Sequence, residues 1–157
     1  MAKKILVLSG SPVKNGNTDA LVAWFSEGAR ALGASLDIIR TADLKYASTG
    51  CTSCRACQTS RKYACVIPDE ATPILAKMAE ADVIVMATPL YFFSASAQLK
   101  LIMDRMFSLY KWDNSANSMT TPLKGKTLIL LASAYEDIGL DALEKPFALT
   151  ADYTSMT

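Results

Sequence analysis

The sequence predicts an α/β protein built on a parallel sheet with helices on both faces. Three observations carry this. Short, nearly unbroken aliphatic runs recur, as strands buried on both faces require. Segments with apolar residues at helical spacing separate them. The resulting order, β-α-β-loop-α-β-α-β-α, is the alternation that winds a parallel sheet. The 157 residues suffice for one domain with a sizeable core, and no internal repeat or second boundary interrupts them.

The first strand is residues 3–9, Lys3-Lys4-Ile5-Leu6-Val7-Leu8-Ser9. A helix follows from Thr18 to about Leu32, with Leu21, Val22, Phe25 and Ala29 on one face and Gly33 as its stop. Leu36–Thr41 reads as the second strand. Residues 41–68 show no period and hold every cysteine. Asp69–Glu80 reads as a helix with Ile74, Leu75 and Met78 inward. Val83–Thr88 is the third strand. Ala95–Tyr110 is a strongly periodic helix, with Leu99, Ile102, Met103 and Met106 aligned and Ser94 placed as its N-cap. Residues 111–125 read as a loop, Thr127–Ser133 as a fourth strand and Asp141–Ala151 as a weak helix containing Pro146.

Composition narrows the chemistry. The net charge is +1, so no broad field recruits nucleic acid or an anionic membrane. There is no histidine, which excludes a histidine triad and the commonest nitrogen ligand for zinc. The apolar run after Met1 ends at Leu8, too short for a secretory signal, and no stretch approaches the ~20 residues of a membrane span. The chain reads as cytoplasmic.

Ligands of such sheets bind beyond the carboxyl ends of the strands, and two loops there are informative. After the first strand comes Ser9-Gly10-Ser11-Pro12-Val13-Lys14-Asn15-Gly16-Asn17-Thr18. Glycines allow close backbone approach, and the small hydroxyl and amide donors precede a helix whose N-terminal N–H groups favour an anion. Lys14 adds a charge there or points into solvent. Asn follows Gly16 where a nucleoside triphosphate loop needs Lys, and G-x-G-x-x-G is absent. The loop suits one terminal phosphate. After the third strand comes Thr88-Pro89-Leu90-Tyr91-Phe92-Phe93-Ser94, whose rings can stack on a heteroaromatic one. A terminal phosphate plus a flat ring describes flavin mononucleotide (FMN).

Gly10-Ser11-Pro12 with Gly16-Asn17-Thr18, Thr88-Pro89-Leu90-Tyr91-Phe92, and Gln98-Leu99-Lys100 with Asp104-Arg105 resemble the NADPH-dependent FMN reductases, a flavodoxin-like family. The resemblance covers nearly the whole chain. It implies a three-layer α/β/α doubly wound sheet of order 2-1-3-4-(5), forming one FMN-binding domain over residues 1–157. It implies phosphate contacts from Ser9, Ser11, Asn15, Gly16, Asn17 and Thr18, and ring contacts from Pro89, Leu90, Tyr91, Phe92 and Phe93. Ser133, Ala134 and Tyr135, after the fourth strand, would also touch FMN. The flavin supplies the chemistry, so no general base is required; Tyr91 is the nearest candidate to the reacting face. Lys100 and Asp104 read as a solvated i,i+4 ion pair.

Cys51, Cys54, Cys57 and Cys65 make C-x2-C-x2-C-x7-C in loop 50–66, after the second strand. Thiols packed this tightly argue for a metal centre over disulfides. The segment is similar to the compact motif of iron–sulfur flavoproteins, a branch of the same family. That likeness implies a [4Fe-4S] cluster passing electrons to FMN, usually across a subunit interface. Gly50 and Ala56 let the backbone wrap, and Arg61 and Lys62 offset cluster charge. A structural Zn(Cys)4 site and free or redox-sensing thiols are the other readings.

Three functions follow. The first is an FMN oxidoreductase taking electrons from NAD(P)H and passing them to a flavin, quinone or other small acceptor. The second is an electron carrier linking a ferredoxin-like donor, the cluster and FMN. The third is a non-enzymatic regulator or zinc-stapled binding module. The family implies a fifth strand and a last helix that this sequence does not reach, which leaves the fourth strand as an exposed edge; either the sequence is truncated or another subunit covers that edge, in a homodimer or homotetramer.

Overall fold

A computed structural model describes residues 2–157. Four strands, β1 (Lys4–Ser9), β2 (Ser35–Arg40), β3 (Val83–Pro89) and β6 (Thr127–Ser133), form a parallel sheet in the order β2-β1-β3-β6. The crossovers hold α1 (Asn17–Ala31), the one-turn α2 (Ala56–Thr59) with α3 (Ala71–Glu80), and α4 (Ala97–Arg105); α5 (Leu140–Thr154) follows β6. Register is fixed at the centre, where Val7 stands between Ile38 and Val85. Alternation in the strands divides the core. Leu6, Leu8, Ile84 and Met86 pack with Leu75, Met78, Leu99 and Ile102. Ile5, Val7, Val85 and Ala87 pack with Val22 of α1.

Local chemistry sets the boundaries. Gly33, at φ +82°, ends α1: its N–H reaches Arg30 O and the Ala34 N–H reaches Ala29 O, a Schellman closure. The expected helix 95–110 is shorter. Ser96, not Ser94, caps α4 by accepting from the Leu99 N–H, because Ser94 is held in a bridge to Tyr91. Beyond Arg105 the chain tightens into a 3-10 turn, Met106–Leu109. The expected loop 111–125 contains a small hairpin, β4 (Lys111–Asp113) with β5 (Ser118–Thr120), too short to leave an alternating pattern. Helix α5 runs further at both ends than the sequence suggests and carries Pro146 inside it.

Every residue of β6 is only half-buried. Thr157 lies beside its start, taking the Leu128 N–H at 2.8 Å and giving its own N–H to Lys126 O at 2.9 Å. Among the described residues no strand pairs with the rest of that edge. No described helix is long and apolar enough to cross a membrane.

Candidate functional site

The carboxyl ends of β1, β3 and β6 are stitched together by hydrogen bonds. Gly10 donates its N–H to Ala87 O at 2.7 Å, and Ser96 Oγ donates to Gly10 O at 2.7 Å. A Cβ on Gly10 would stand 2.6 Å from Leu99 Cβ, so only glycine fits. Helix α1 opens at Gly16, which offers no side-chain acceptor to the first turn. Its N-terminal donors therefore have no cap and are open to an anion. Ser9, Ser11 and Thr18 are buried against this turn, with Asn15, Gly16 and Asn17 beside them. Thr18 Oγ1 lies 2.7 Å from Ser133 Oγ. Lys14 points outward, 71% exposed, and pairs with Asp43 at 3.8 Å.

An internal carboxylate organises the loop. Asp19, in the first turn of α1, accepts the Asn15 N–H at 2.8 Å and the Ser9 hydroxyl at 3.5 Å. Arg40, at the end of β2, grips both its oxygens at 2.6 and 2.7 Å and reaches Ser11 O at 3.1 Å. The sequence signal for this pair was only an acidic residue following Thr18. Its partner is 21 positions on and adjacent only through the β1–β2 pairing.

The second loop is a tight turn. Tyr91 and Ser94 exchange both backbone hydrogen bonds, with Phe92 and Phe93 between them at φ +46° and +63°. Such values are costly for aromatic residues and concentrate at functional sites. The turn holds Phe92 99% exposed, with Tyr91 and Phe93 about half so. Phe93 rests on Gly139, where a Cβ would come within 2.2 Å of its ring. Leu90 donates its N–H to Ser133 O at 2.8 Å, fixing Pro89-Leu90 against β6. Ala134 and Tyr135 follow on the surface. Leu90, Phe92, Phe93, Tyr135, Glu136 and Ile138 line an open apolar cleft of about 390 Å³.

The cysteines form a separate site. Ser53 and Arg55 adopt φ +55° and +58°, one between each successive pair of the first three cysteines, and Gly50 takes φ +101°. This winding turns Cys51, Cys54, Cys57 and Cys65 onto one cavity, shared with Arg55, Ile67, Arg105, Phe107 and Ser108. All four are free thiols. Among the described residues no three Cys, Asp or Glu groups gather closely enough to hold a metal ion. Arg61 and Lys62 are exposed and do not line the cavity. The hairpin and the 3-10 turn before it brace the segment: Lys111 Nζ donates to Cys57 O, Gln58 Nε2 donates to Phe107 O and Tyr110 O at 3.0 Å, and Tyr63 bonds Thr120 at 2.8 Å.

Behind the cavity lies a buried ion pair. Arg105 Nη1 meets both Asp69 oxygens at 2.8 and 2.7 Å, and Nη2 donates to Thr72 Oγ1 at 2.9 Å. Burial opposes the Asp69 charge, but the Ala47 N–H and Arg105 outweigh it and hold the carboxyl below its ordinary value. Burial likewise opposes the Arg105 charge, and Asp69 followed by Cys65 outweighs it, so the guanidinium holds its proton more firmly than usual. Arg105 sits three residues after Ile102, on the apolar stripe of α4. A cation in that register is the signal that marks it in the sequence.

The chain matches the sequences described as NADPH-dependent FMN reductase over residues 3–151. It belongs to that family. A curated iron–sulfur flavoprotein of Methanocaldococcus jannaschii is 39% identical over 102 residues, covering 65% of this chain and 51% of that protein. One from Archaeoglobus fulgidus is 37% identical, covering 65% and 48%. The match therefore spans about half the length of these relatives. Among solved structures, RosB with a bound flavin-phosphate intermediate superposes with TM-score 0.76 at 19% identity, over 99% of this chain and 61% of that one. An FMN-dependent NADH-azoreductase of Bacillus anthracis, in complex with FMN, gives 0.70 at 15%, over 98% and 82%. These likenesses establish the flavodoxin-like fold expected from the sequence, with order 2-1-3-4 realised as β2-β1-β3-β6.

Proposed function

We propose that this chain is one FMN-binding domain of an oxidoreductase that takes electrons from NAD(P)H and passes them to a flavin, quinone or other small acceptor. One observation carries the reading: Ser133 joins the anion-ready loop through Thr18 and the aromatic turn through Leu90. FMN has an anion at one end and a flat ring at the other, so one molecule satisfies both loops. The uncapped N-terminus of α1 and the buried hydroxyls fit its phosphate.

Ser9, Ser11, Asn15, Gly16, Asn17 and Thr18 hold the phosphate, with Lys14 adding charge from the solvent side. Pro89, Leu90, Tyr91, Phe92 and Phe93 would contact the ring, as would Ser133, Ala134 and Tyr135. Bound FMN supplies hydride and electron transfer; the protein contributes orientation and electrostatics. The exposed rings of the aromatic turn would pack on the flavin ring, with Tyr91 the candidate side chain at its reacting face. The test is anaerobic titration with FMN followed by NADH or NADPH. Saturable binding and bleaching of the flavin bands on nicotinamide addition support the reading. No FMN binding sinks it.

A second reading is favoured by the cysteine cavity: an iron–sulfur flavoprotein that moves electrons between a ferredoxin-like donor, a [4Fe-4S] cluster and FMN. Four thiols lining one cavity supply the right donor chemistry. A single zinc ion needs four sulfurs each about 2.3 Å from one point. A cube takes each thiolate at a different iron. Steady-state turnover with NADPH supports the first reading; reduction by ferredoxin alone supports the second. The proposal includes a homodimer or homotetramer. Light scattering at micromolar concentration that shows only monomer argues against it.

A further inference from the structure

The cleft beside the aromatic turn carries a single charge in its lining. Leu90, Phe92, Phe93, Tyr135 and Ile138 supply apolar and aromatic surface, and Glu136 is the one charged side chain among the six. No lysine or arginine lines the cleft. Among the described residues no cation forms an ion pair with Glu136, nor with Asp137, which follows it. The loop that carries Glu136 is tied to the aromatic turn at both ends. Ser133 O accepts the Leu90 N–H at 2.8 Å, and Gly139 packs under the Phe93 ring. Glu136 stands midway between these ties, so the loop keeps it on the cleft wall.

We propose that Glu136 is the specificity-determining residue of this site: it selects neutral flat aromatic acceptors, of the quinone class, over those that carry an anionic group. This rests on the FMN reading. A second flat molecule that exchanges electrons with a ring held by the aromatic turn stacks in the same cleft. The aromatic walls favour any flat ring and do not discriminate by charge. The carboxylate does, because specificity is built from a repulsive element as well as an attractive one. An anionic group about 4 Å from it, screened as in water, loses about fivefold in affinity. Reduction of the neutral quinone adds two electrons and two protons and gives the hydroquinone; NAD(P)H supplies a hydride and solvent supplies the second proton.

The experiment uses the FMN-loaded protein without a reductant, so that binding alone is read. Calorimetry compares anthraquinone monosulfonate with the neutral hydroxymethyl anthraquinone in wild type, E136Q, E136K and E80K. Glu80 is exposed beside Lys4 and Ser35, at the opposite end of the sheet, so E80K makes the same change of net charge away from the cleft. Wild type is expected to bind the neutral compound more tightly than the anion. E136Q should narrow that preference about fivefold and E136K about 25-fold, while E80K leaves it in place. Raising the salt from about 0.05 M to about 0.5 M should shrink the wild-type preference. In steady-state turnover the same pair should differ in KM more than in kcat. A preference that E136Q and E136K leave unmoved, or that E80K moves equally, overturns the proposal, as does wild type that binds FMN but neither anthraquinone. If E136K does not fold, E136Q and the wild-type salt dependence decide: a preference unmoved by both overturns it. Wild type that binds no FMN instead removes the FMN reading, and this proposal with it.

Discussion

Thr18 Oγ1 and Ser133 Oγ stand 2.7 Å apart, although 115 residues separate them in the chain. The contact joins the first turn of α1 to the end of β6 and places two buried or half-buried hydroxyls at the mouth of the anion-ready loop. Between them only one proton is used, so the second hydroxyl proton remains available to a phosphate oxygen. Thr18→Val removes one hydroxyl at nearly constant volume. FMN affinity is expected to fall by about 1–3 kcal/mol, read by fluorescence titration. An unchanged dissociation constant would take Thr18 out of the site.

Gly10 has no room for a side chain, since Leu99 Cβ, Ser96 Oγ and Ala87 O surround the vacant position at 2.6, 2.7 and 3.3 Å. Gly10→Ala must push α4 away from β1. We expect a loss of roughly 1–3 kcal/mol in urea unfolding, typical of overpacking a tight core. A variant as stable as the parent would show that the loop can yield.

Gly139→Ala meets two obstacles, a backbone at φ +82° and the Phe93 ring at 2.2 Å. The substitution should dislodge Phe93 from its seat and change the near-ultraviolet signal of the aromatic turn. The paired expectation is weaker FMN binding, with the far-ultraviolet spectrum retained. Intact FMN affinity would place Phe93 outside the ring site.

Asp19 and Arg40 set the shape of the phosphate loop through the Asn15 N–H and Ser11 O. Asp19→Ala frees the Asn15 donor but releases Arg40. If ordering of the loop dominates, FMN binding weakens about tenfold; calorimetry with FMN reads it. Tighter binding would mean that the carboxylate chiefly repels the phosphate.

The pH dependence of stability has two limbs. Asp69 is held below its ordinary value, so its contribution is complete above about pH 4 and is lost as pH falls through the lower folded value. Tyr46 and Tyr110 are pushed up to about 12, mainly by burial. Their contribution is complete below about pH 10, the ordinary phenol value, and is lost as pH rises toward 12. Denaturant midpoints across pH should decline on both sides, and Tyr110→Phe should flatten the alkaline limb.

Much of the fold was legible because buried parallel strands must be nearly continuous apolar runs. Ile5–Leu8, Val83–Ala87 and Leu128–Leu131 are such runs, and each became a strand. The phosphate-type loop was legible because glycine, hydroxyl and amide residues crowd one strand-to-helix junction. Ser96 rather than Ser94 caps α4, and the helix gives way to a 3-10 turn after Arg105. The Tyr91–Ser94 turn is closed by its own backbone pair, which no side-chain pattern announces. The β4–β5 hairpin escaped notice because three-residue strands are too short to show a period.

The layered α/β architecture, the two loops at the carboxyl ends of the strands and the clustering of four thiols in one segment can all be read from the amino-acid order alone. These depend on local periodicity, turn chemistry and spacing, all of which act over a few residues. Which distant groups meet depends on the folded chain: Thr18 with Ser133, Asp19 with Arg40, and Asp69 with Arg105 behind the cysteine cavity. Each pair is made by strand order and helix docking, and burial rather than sequence distance sets how strongly its charges and hydroxyls act.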